Sequence, residues 1–234
     1  MARKASHSLG TGLTKTELVF GWLYLPFYLV LLSVLLNWLS GYLKLGLSPL
    51  VINVLYFCIN AAVVPIIFHR FLRQRFFGEG FWDFIQALIL GFVMYYAGDW
   101  IIRFAVAKLG GTLHIYNDNT VSGLILDNPY IMFVITVIVA PIIEETLIRG
   151  LVFGSIRPAS RVMAYITSIL VFTLMHNWQY FGANPLGSVL LSCLPYIPAS
   201  AALAWTYEKS GTIWGSITLH AVINAISFGV LTLP

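Results

Sequence analysis

Long apolar runs separated by short polar stretches form the main pattern along this chain. A helix needs about 20 apolar residues to cross the hydrocarbon core of a bilayer. Backbone N–H and C=O groups that face lipid find hydrogen-bond partners only in helices or closed barrels. Runs this long and uniformly apolar favour helices. The pattern predicts an all-α, polytopic membrane helical bundle of about seven transmembrane helices, within a range of six to eight. The candidate spans are Leu18–Leu39, Pro49–Phe68, Phe84–Leu109, Pro129–Phe153, Val162–Trp178, Leu186–Tyr207 and Ile213–Leu233.

Two features modify this simple count of spans. The linker Gly110–Asn128 is the longest polar stretch, and we expect it to fold back over the outer surface. Pro195 and Pro198 lie inside the sixth span and predict a kink there. No internal repeat is visible. The predicted organisation is therefore a short basic tail at residues 1–16 and one integral membrane domain at residues 17–234.

Composition strengthens the membrane assignment. The 234 residues are 59% hydrophobic and only 9% charged, whereas soluble domains carry about 25% charged residues. The net charge of +4 does not indicate nucleic-acid binding, because the basic residues lie in short loops. We therefore expect the lipid bilayer as a partner and no nucleic acid.

The positions of the basic residues predict the orientation. If seven spans alternate, most lysines and arginines fall on one side, and Lys44 and Lys108 fall on the other. The positive-inside rule then places the N-terminus in the cytosol. The residues on the basic side are Arg3, Lys4, Lys15, Arg70, Arg73, Arg75, Arg157, Arg161 and Lys209.

Two adjacent glutamates, Glu144 and Glu145, interrupt the fourth apolar run. One carboxylate at the centre of a membrane helix costs about 2.5–3.5 kcal/mol on insertion scales, so such residues usually have a function. Glu145 and Arg149 are spaced i,i+4 with the acid first, which favours an ion pair on one helix face. Glu144 is turned about 100° away and has no partner at helical spacing.

Two further motifs place imidazoles in apolar spans. His176 follows Phe172 at i+4 spacing, and His220 precedes Asn224 at the same spacing. Taken alone, a histidine near a helix end is typical of the membrane–water interface. A His–Asn pair taken alone is typical of a hydrogen bond between two membrane helices. Counted from the basic residue that flanks each helix, Glu144 lies roughly 20 Å deep, His176 roughly 22 Å and His220 roughly 16 Å. Three helices thus bring ionisable groups to similar depth.

An acid together with imidazoles is suited to activating water. A buried carboxylate can act as a general base toward water, while another imidazole and an amide can donate hydrogen bonds to a developing oxyanion. This chemistry hydrolyses an amide without a covalent intermediate and without a cofactor. The alternative is a zinc site with Glu144, His176 and His220 as ligands, although the sequence has no HExxH pattern.

The three motifs resemble those of the CPBP family, the CAAX proteases and bacteriocin-processing enzymes, also called Abi. The matching patterns are Glu144-Glu145-xxx-Arg149, Phe172-xxx-His176 and His220-xxx-Asn224, and the segment from Glu208 to Ile217 is also similar in style. The family includes the type II CAAX prenyl endopeptidases. The resemblance covers roughly Val134 to the C-terminus, so a family-like core is expected at about residues 129–234.

The resemblance implies a glutamate-type intramembrane endopeptidase that acts on a peptide or membrane-associated protein. Glu144 would be the general base, assisted by His176, and His220 and Asn224 would stabilise the oxyanion. Glu145 and Arg149 would hold the first motif in place, with Phe172 in a supporting position. The short chain resembles prokaryotic members, which implies the prokaryotic cytoplasmic membrane.

Two other classes of function stay open at this stage. The chain could be a non-enzymatic membrane partner, such as an immunity or scaffold protein. It could also be a proton-coupled carrier, in which buried Glu and His form a relay. Asp99 and Arg103 form another i,i+4 pair, which we interpret as structural.

Overall fold

A computed structural model describes residues 12–232, and every named element in this range is helical. Eight helices make up this part of the chain, which confirms the predicted all-α membrane bundle. Two short 3-10 turns, Phe71–Arg73 and Trp178–Tyr180, lie between them. The helices are α1 (Lys15–Tyr42), α2 (Pro49–Ile67), α3 (Phe81–Lys108), α4 (Tyr116–Asp127), α5 (Pro129–Ile156), α6 (Arg161–Asn177), α7 (Leu186–Ser210) and α8 (Ile213–Thr232).

Six of the eight described helices are long and apolar enough to cross a membrane, which is the lower end of the predicted range. The predicted span Val162–Trp178 corresponds to α6, which has 17 residues and is therefore roughly 26 Å long. The polar helix α4 forms inside the linker Gly110–Asn128. The division into a tail and one membrane domain stays a prediction, and most of the tail lies outside the described residues.

Polar caps define where several helices begin. At each of these helix starts, the side chain of a capping residue accepts a hydrogen bond from a backbone N–H in the first turn, which would otherwise lack a partner. In α2 and α5 a proline occupies the first helical position, where the missing N–H costs nothing. The capping residues are Thr14, Ser48, Asn128 and Ser160.

Glu17 fastens the start of α1 to the loop that follows α2. Its Oε1 accepts hydrogen bonds from the backbone N–H groups of Arg70 at 3.0 Å and Phe71 at 2.8 Å. Its Oε2 accepts a bond from the backbone N–H of Thr14 at 2.8 Å. The Glu17 side chain is buried, so the carboxylate replaces lost water contacts with backbone donors.

Glu208 binds basic residues of another loop at the same end of the bundle. Its carboxylate pairs with Arg157 and with Arg161, and Tyr165 donates its hydroxyl to Oε2 at 2.9 Å. The loop after α2 joins this end through Thr212, whose hydroxyl donates to the carbonyl of Arg75 at 2.9 Å. We call this the basic end, since the basic loops that were predicted to lie on one side meet here.

Helices α3 and α7 pack closely because glycines on α3 leave room for side chains of α7. A Cβ added to Gly91 would collide with the side chains of Thr206 and Leu219. A Cβ added to Gly98 would meet the ring of Pro198 at 2.5 Å. The close approach lets α7 run alongside α3 through the bundle.

The helix that carries the two glutamates is not a regular α-helix. The α-helical turn Ala140–Glu145 lies between two π-helical segments, Val134–Val139 and Thr146–Phe153. Pro141 has no N–H to give to the preceding turn, and wide turns of this kind are frequent at functional sites. Helix α7 is also interrupted, at Leu194 and Pro195, where the prolines predicted a kink.

Candidate active site

Glu144 lies where α5, α6 and α8 meet. Its Oε2 atom is 3.8 Å from His176 Nε2 and 3.9 Å from His220 Nε2. The Glu144 side chain is only 10% exposed, and Oε2 has no hydrogen-bond partner among residues 12–230. Both distances are too long for a direct hydrogen bond and suit a water molecule shared by the three groups. The structure thus brings together the three groups whose depths matched in the sequence.

Glu145 forms the ion pair that its spacing with Arg149 predicted. Arg149 Nη1 donates to Glu145 Oε1 at 2.9 Å, and both side chains are fully buried. Arg149 Nη2 also donates to the carbonyl and the hydroxyl of Ser200, at 3.1 and 2.9 Å. The guanidinium lies over the ring of Phe172, 4.4 Å from its centroid, a favourable cation–π arrangement. These contacts join α5 to α6 and α7 directly behind the site.

His220 is held by the same carboxylate. Its Nδ1 lies 2.8 Å from Glu145 Oε1, and because this oxygen already accepts from Arg149, the imidazole is the donor. A proton on Nδ1 leaves Nε2 facing Glu144. No spacing rule could have predicted this contact, because 75 residues separate the two side chains.

His176 is fixed in a comparable way by a backbone group. Its Nδ1 lies 2.8 Å from the carbonyl oxygen of Phe172, and since a carbonyl only accepts, Nδ1 carries the proton and Nε2 faces Glu144. The ring stacks on Tyr196 with 4.6 Å between centroids and 25° between planes. Tyr196 in turn donates its hydroxyl to Asp118 Oδ1 at 2.7 Å.

Tyr196 was not predicted from the sequence as a site residue. It lies in an apolar span, and its local signal is the preceding Pro195, where α7 is interrupted. The break places the ring beside the last turn of α6. A tyrosine next to a proline inside a predicted span is therefore the signal that could have identified it.

Asn224 lies one turn beyond His220 and lines the same cavity. Its Nδ2 donates to the carbonyl oxygen of Thr136 at 2.8 Å. Thr136 belongs to the first π-helical segment of α5, so this bond ties α8 to α5. An amide nitrogen carries two hydrogens, and one of them is used in this contact. The predicted role in oxyanion stabilisation stays a prediction.

A cavity of about 640 Å³ lies in front of Glu144. Apolar and aromatic side chains line it together with amides and hydroxyls, as is usual for ligand sites. Glu145 and Arg149 lie behind its wall rather than in its lining. The predicted site residues that line it are Glu144, Phe172, His176, His220 and Asn224.

The donor set can also be compared with what a metal ion requires. Zinc needs three or four ligand atoms at about 2.0–2.2 Å, in tetrahedral directions. Over the described part of the chain, no group of three or more His, Cys, Asp or Glu side chains has an arrangement that could hold a metal ion. Glu144, His176 and His220 do not fit this requirement as placed, so no step of the chemistry below runs through a metal.

The fold and the site define a polytopic integral membrane protein with a buried carboxylate and two imidazoles facing one cavity. Residues 126–226 match the family described as type II CAAX prenyl endopeptidase Rce1-like. All three motifs lie in this region of similarity, which confirms the resemblance.

Curated relatives come from Lactococcus lactis. The "UPF0177 protein in abiGi 5'region" of subspecies cremoris is 31% identical over 98 residues, which cover 42% of this chain and 37% of that protein. The "UPF0177 protein YxdF" of subspecies lactis strain IL1403 is 24% identical over 150 residues, which cover 61% of this chain and 76% of that protein. The chain thus spans little more than a third of the first of these relatives. No solved structure matches the chain.

Proposed function

We propose that this chain is an intramembrane endopeptidase that hydrolyses a peptide bond with water activated by Glu144 and His176. The observation that carries the proposal is the unpaired Oε2 of Glu144, which faces two imidazole nitrogens at 3.8 and 3.9 Å. An unpaired buried carboxylate costs stability, and membrane proteins retain such groups mainly where they act. The match of residues 126–226 to a peptidase family agrees with this chemistry.

The proposed reaction begins with one water between Glu144 and His176. The water donates one hydrogen to Glu144 Oε2 and the other to His176 Nε2, both of which are free to accept. Glu144 removes a proton as the water oxygen attacks the carbonyl carbon of the peptide bond. The C–N bond then breaks, and the same proton passes to the leaving nitrogen, giving a carboxylic acid and an amine.

The developing oxyanion would be stabilised from α8. His220, protonated at both ring nitrogens, would donate from Nε2, while Nδ1 keeps its bond to Glu145. Asn224 would donate to the oxyanion with its second amide hydrogen, which the contact with Thr136 does not use. Glu145 and Arg149 act indirectly in this scheme, because they orient His220 and close the wall behind the site. Donors of this type are worth about 10²–10³-fold each in rate.

The test is cleavage of a quenched peptide library by purified protein in detergent. Glu144→Gln should lower kcat/KM by about 10²–10⁴-fold, the usual contribution of a general base. The matched control is Glu208→Gln, which makes the same chemical change at the basic end, away from the cavity. Wild-type rates in Glu144→Gln or in His176→Ala would contradict the assigned roles.

Two further outcomes separate the alternatives. Cleavage by the wild type should persist after treatment with a zinc chelator, and loss of activity that added zinc restores would favour the metal alternative instead. A wild type that cleaves nothing in the library would overturn the proposal in favour of a non-enzymatic membrane partner. The relatives support a bacterial membrane as the location.

A further inference from the structure

The cavity occupies only one half of the bundle. On α5 its lining runs from Met132 to Glu144, and on α8 it runs from His220 to Phe228. Both stretches lie in the part of the helix away from the basic end, and Glu144 and His220 are the lining residues of these two helices that are nearest to that end. The other helices follow the same rule: on α3, for example, the lining begins only at Tyr95. The cavity is therefore a well with the candidate site at its floor.

The bundle is closed between this floor and the basic end. The next turns of α5 contribute Leu147, Ile148 and Leu151, and none of these side chains is exposed. Leu147 and Leu151 pack with Phe153 and other buried apolar residues in the main core of the protein, and Ile148 belongs to a second buried apolar cluster. Among the described residues, none on α5 beyond Glu144 lines the cavity. A peptide could not reach Glu144 from the basic end without displacing this core.

The cavity reaches the surface at the opposite end. Seven of its lining residues are exposed there: Asn37, Pro49, Arg103, Asp118, Thr120, Gln179 and Ser227. Helix α4 lies over this opening. It is held by the bond from Tyr196 to Asp118 and by a 2.8 Å contact between the hydroxyls of Thr120 and Tyr180.

The charge distribution assigns the two ends to sides of the membrane. The basic end carries Lys15, Arg70, Arg73, Arg75, Arg157, Arg161 and Lys209, against Lys44, Arg103 and Lys108 at the other end. The positive-inside rule places the richer end in the cytosol. The open end of the well then faces the extracytoplasmic side.

We propose that the site receives its substrate from the extracytoplasmic face, as an extended peptide segment that enters the well beneath α4. The part of this inference that concerns a substrate rests on the proposed function. The direction in which the cavity opens does not depend on it. The helix from Pro129 to Glu144 gives a depth of roughly 22 Å. An extended chain advances about 3.3 Å per residue, so about seven residues must enter, which excludes folded domains.

The lining fits such a segment. Amides and hydroxyls on several helices can pair with the N–H and C=O groups that an extended peptide leaves free. They include Asn53 on α2 and Asn117 and Ser122 on α4. Asn53 Oδ1 has no hydrogen-bond partner among residues 12–230. A secreted peptide or an outer loop of a membrane protein has the required form.

Thiol labelling in intact cells tests the direction of the opening without requiring activity. In a background where both cysteines, Cys58 and Cys193, are replaced by alanine, a membrane-impermeant maleimide should label Ser122→Cys and Ser227→Cys. Both positions line the cavity, and the substitution is nearly isosteric. The matched control is Lys209→Cys at the basic end, which should be labelled only after the membrane is permeabilised.

The reverse labelling pattern would overturn the inference, as would labelling of all three positions from outside. A second experiment adds membrane-impermeant quenched peptides to oriented vesicles. Right-side-out vesicles should cleave at least tenfold faster than inside-out vesicles, and detergent should abolish the difference. Faster cleavage by inside-out vesicles would refute substrate entry from the extracytoplasmic face. If detergent-solubilised protein cleaves nothing, the proposed function fails and the substrate claim with it, while the labelling result still decides the direction of the opening.

Discussion

His220 and Glu145 are joined by a hydrogen bond of 2.8 Å between Nδ1 and Oε1. The same oxygen accepts from Arg149 at 2.9 Å, so one buried carboxylate holds both a cation and an imidazole. Its neighbour Glu144 keeps Oε2 without a hydrogen-bond partner in the described chain. Two adjacent residues of the same type therefore have different surroundings, and this difference can be tested directly.

The first prediction compares Glu144→Gln with Glu145→Gln. Glu144→Gln removes a buried charge that has no hydrogen-bond partner at Oε2, so the melting temperature in detergent should stay the same or rise. Glu145→Gln leaves the Arg149 guanidinium buried without its counter-ion, which should cost about 3–5 kcal/mol. Both variants should lose peptidase activity. Equal losses of melting temperature in the two variants would contradict the proposed difference.

The second prediction concerns the ion pair itself. Arg149→Met should destabilise the protein by about 3–5 kcal/mol, because the Glu145 charge is then buried alone. Combining it with Glu145→Gln should recover part of that loss, since no unpaired charge remains. Denaturant unfolding of the wild type, both single variants and the double variant measures the coupling. Strictly additive losses would show that the pair makes no net contribution to stability.

Sequence patterns were sufficient for much of the fold. Helix formation in lipid follows from apolar length, so each of the seven predicted spans overlaps a described helix, and six of these helices are long and apolar enough to cross a membrane. The ion pair of Glu145 with Arg149 was also predictable, because i,i+4 neighbours always share a helix face. The kink in α7 followed from Pro195, which cannot donate to the preceding turn.

Contacts between helices could not be predicted from these sequence patterns. The bond from His220 to Glu145 depends on how α8 packs against α5, which no local spacing encodes. The same holds for Glu17, whose carboxylate binds backbone groups 53 and 54 residues away. The depth count indicated that three ionisable groups lie at one level, but it carried no information about which atoms face one another.

The third prediction tests the close contact between α3 and α7. Gly91→Ala should lower stability by about 1–3 kcal/mol, because the added methyl group collides with Thr206 and Leu219 and forces the helices apart. Gly123→Ala is the matched control, since a Cβ at this helical position on α4 meets no atom within 4 Å. Thermal unfolding of the purified variants gives the comparison. Equal stability of the two variants would show that the contact can relax without cost.

The fourth prediction concerns Tyr196 as a positioning residue for His176. Tyr196→Leu removes the stacked ring, 4.6 Å from the imidazole centroid, and should lower kcat by about 10- to 100-fold through misplacement of Nε2. Tyr196→Phe keeps the ring and loses the hydroxyl contacts with α4, including the bond to Asp118, so most of kcat should survive. An equal loss in both variants would assign the effect to the α4 contact instead of the stacking.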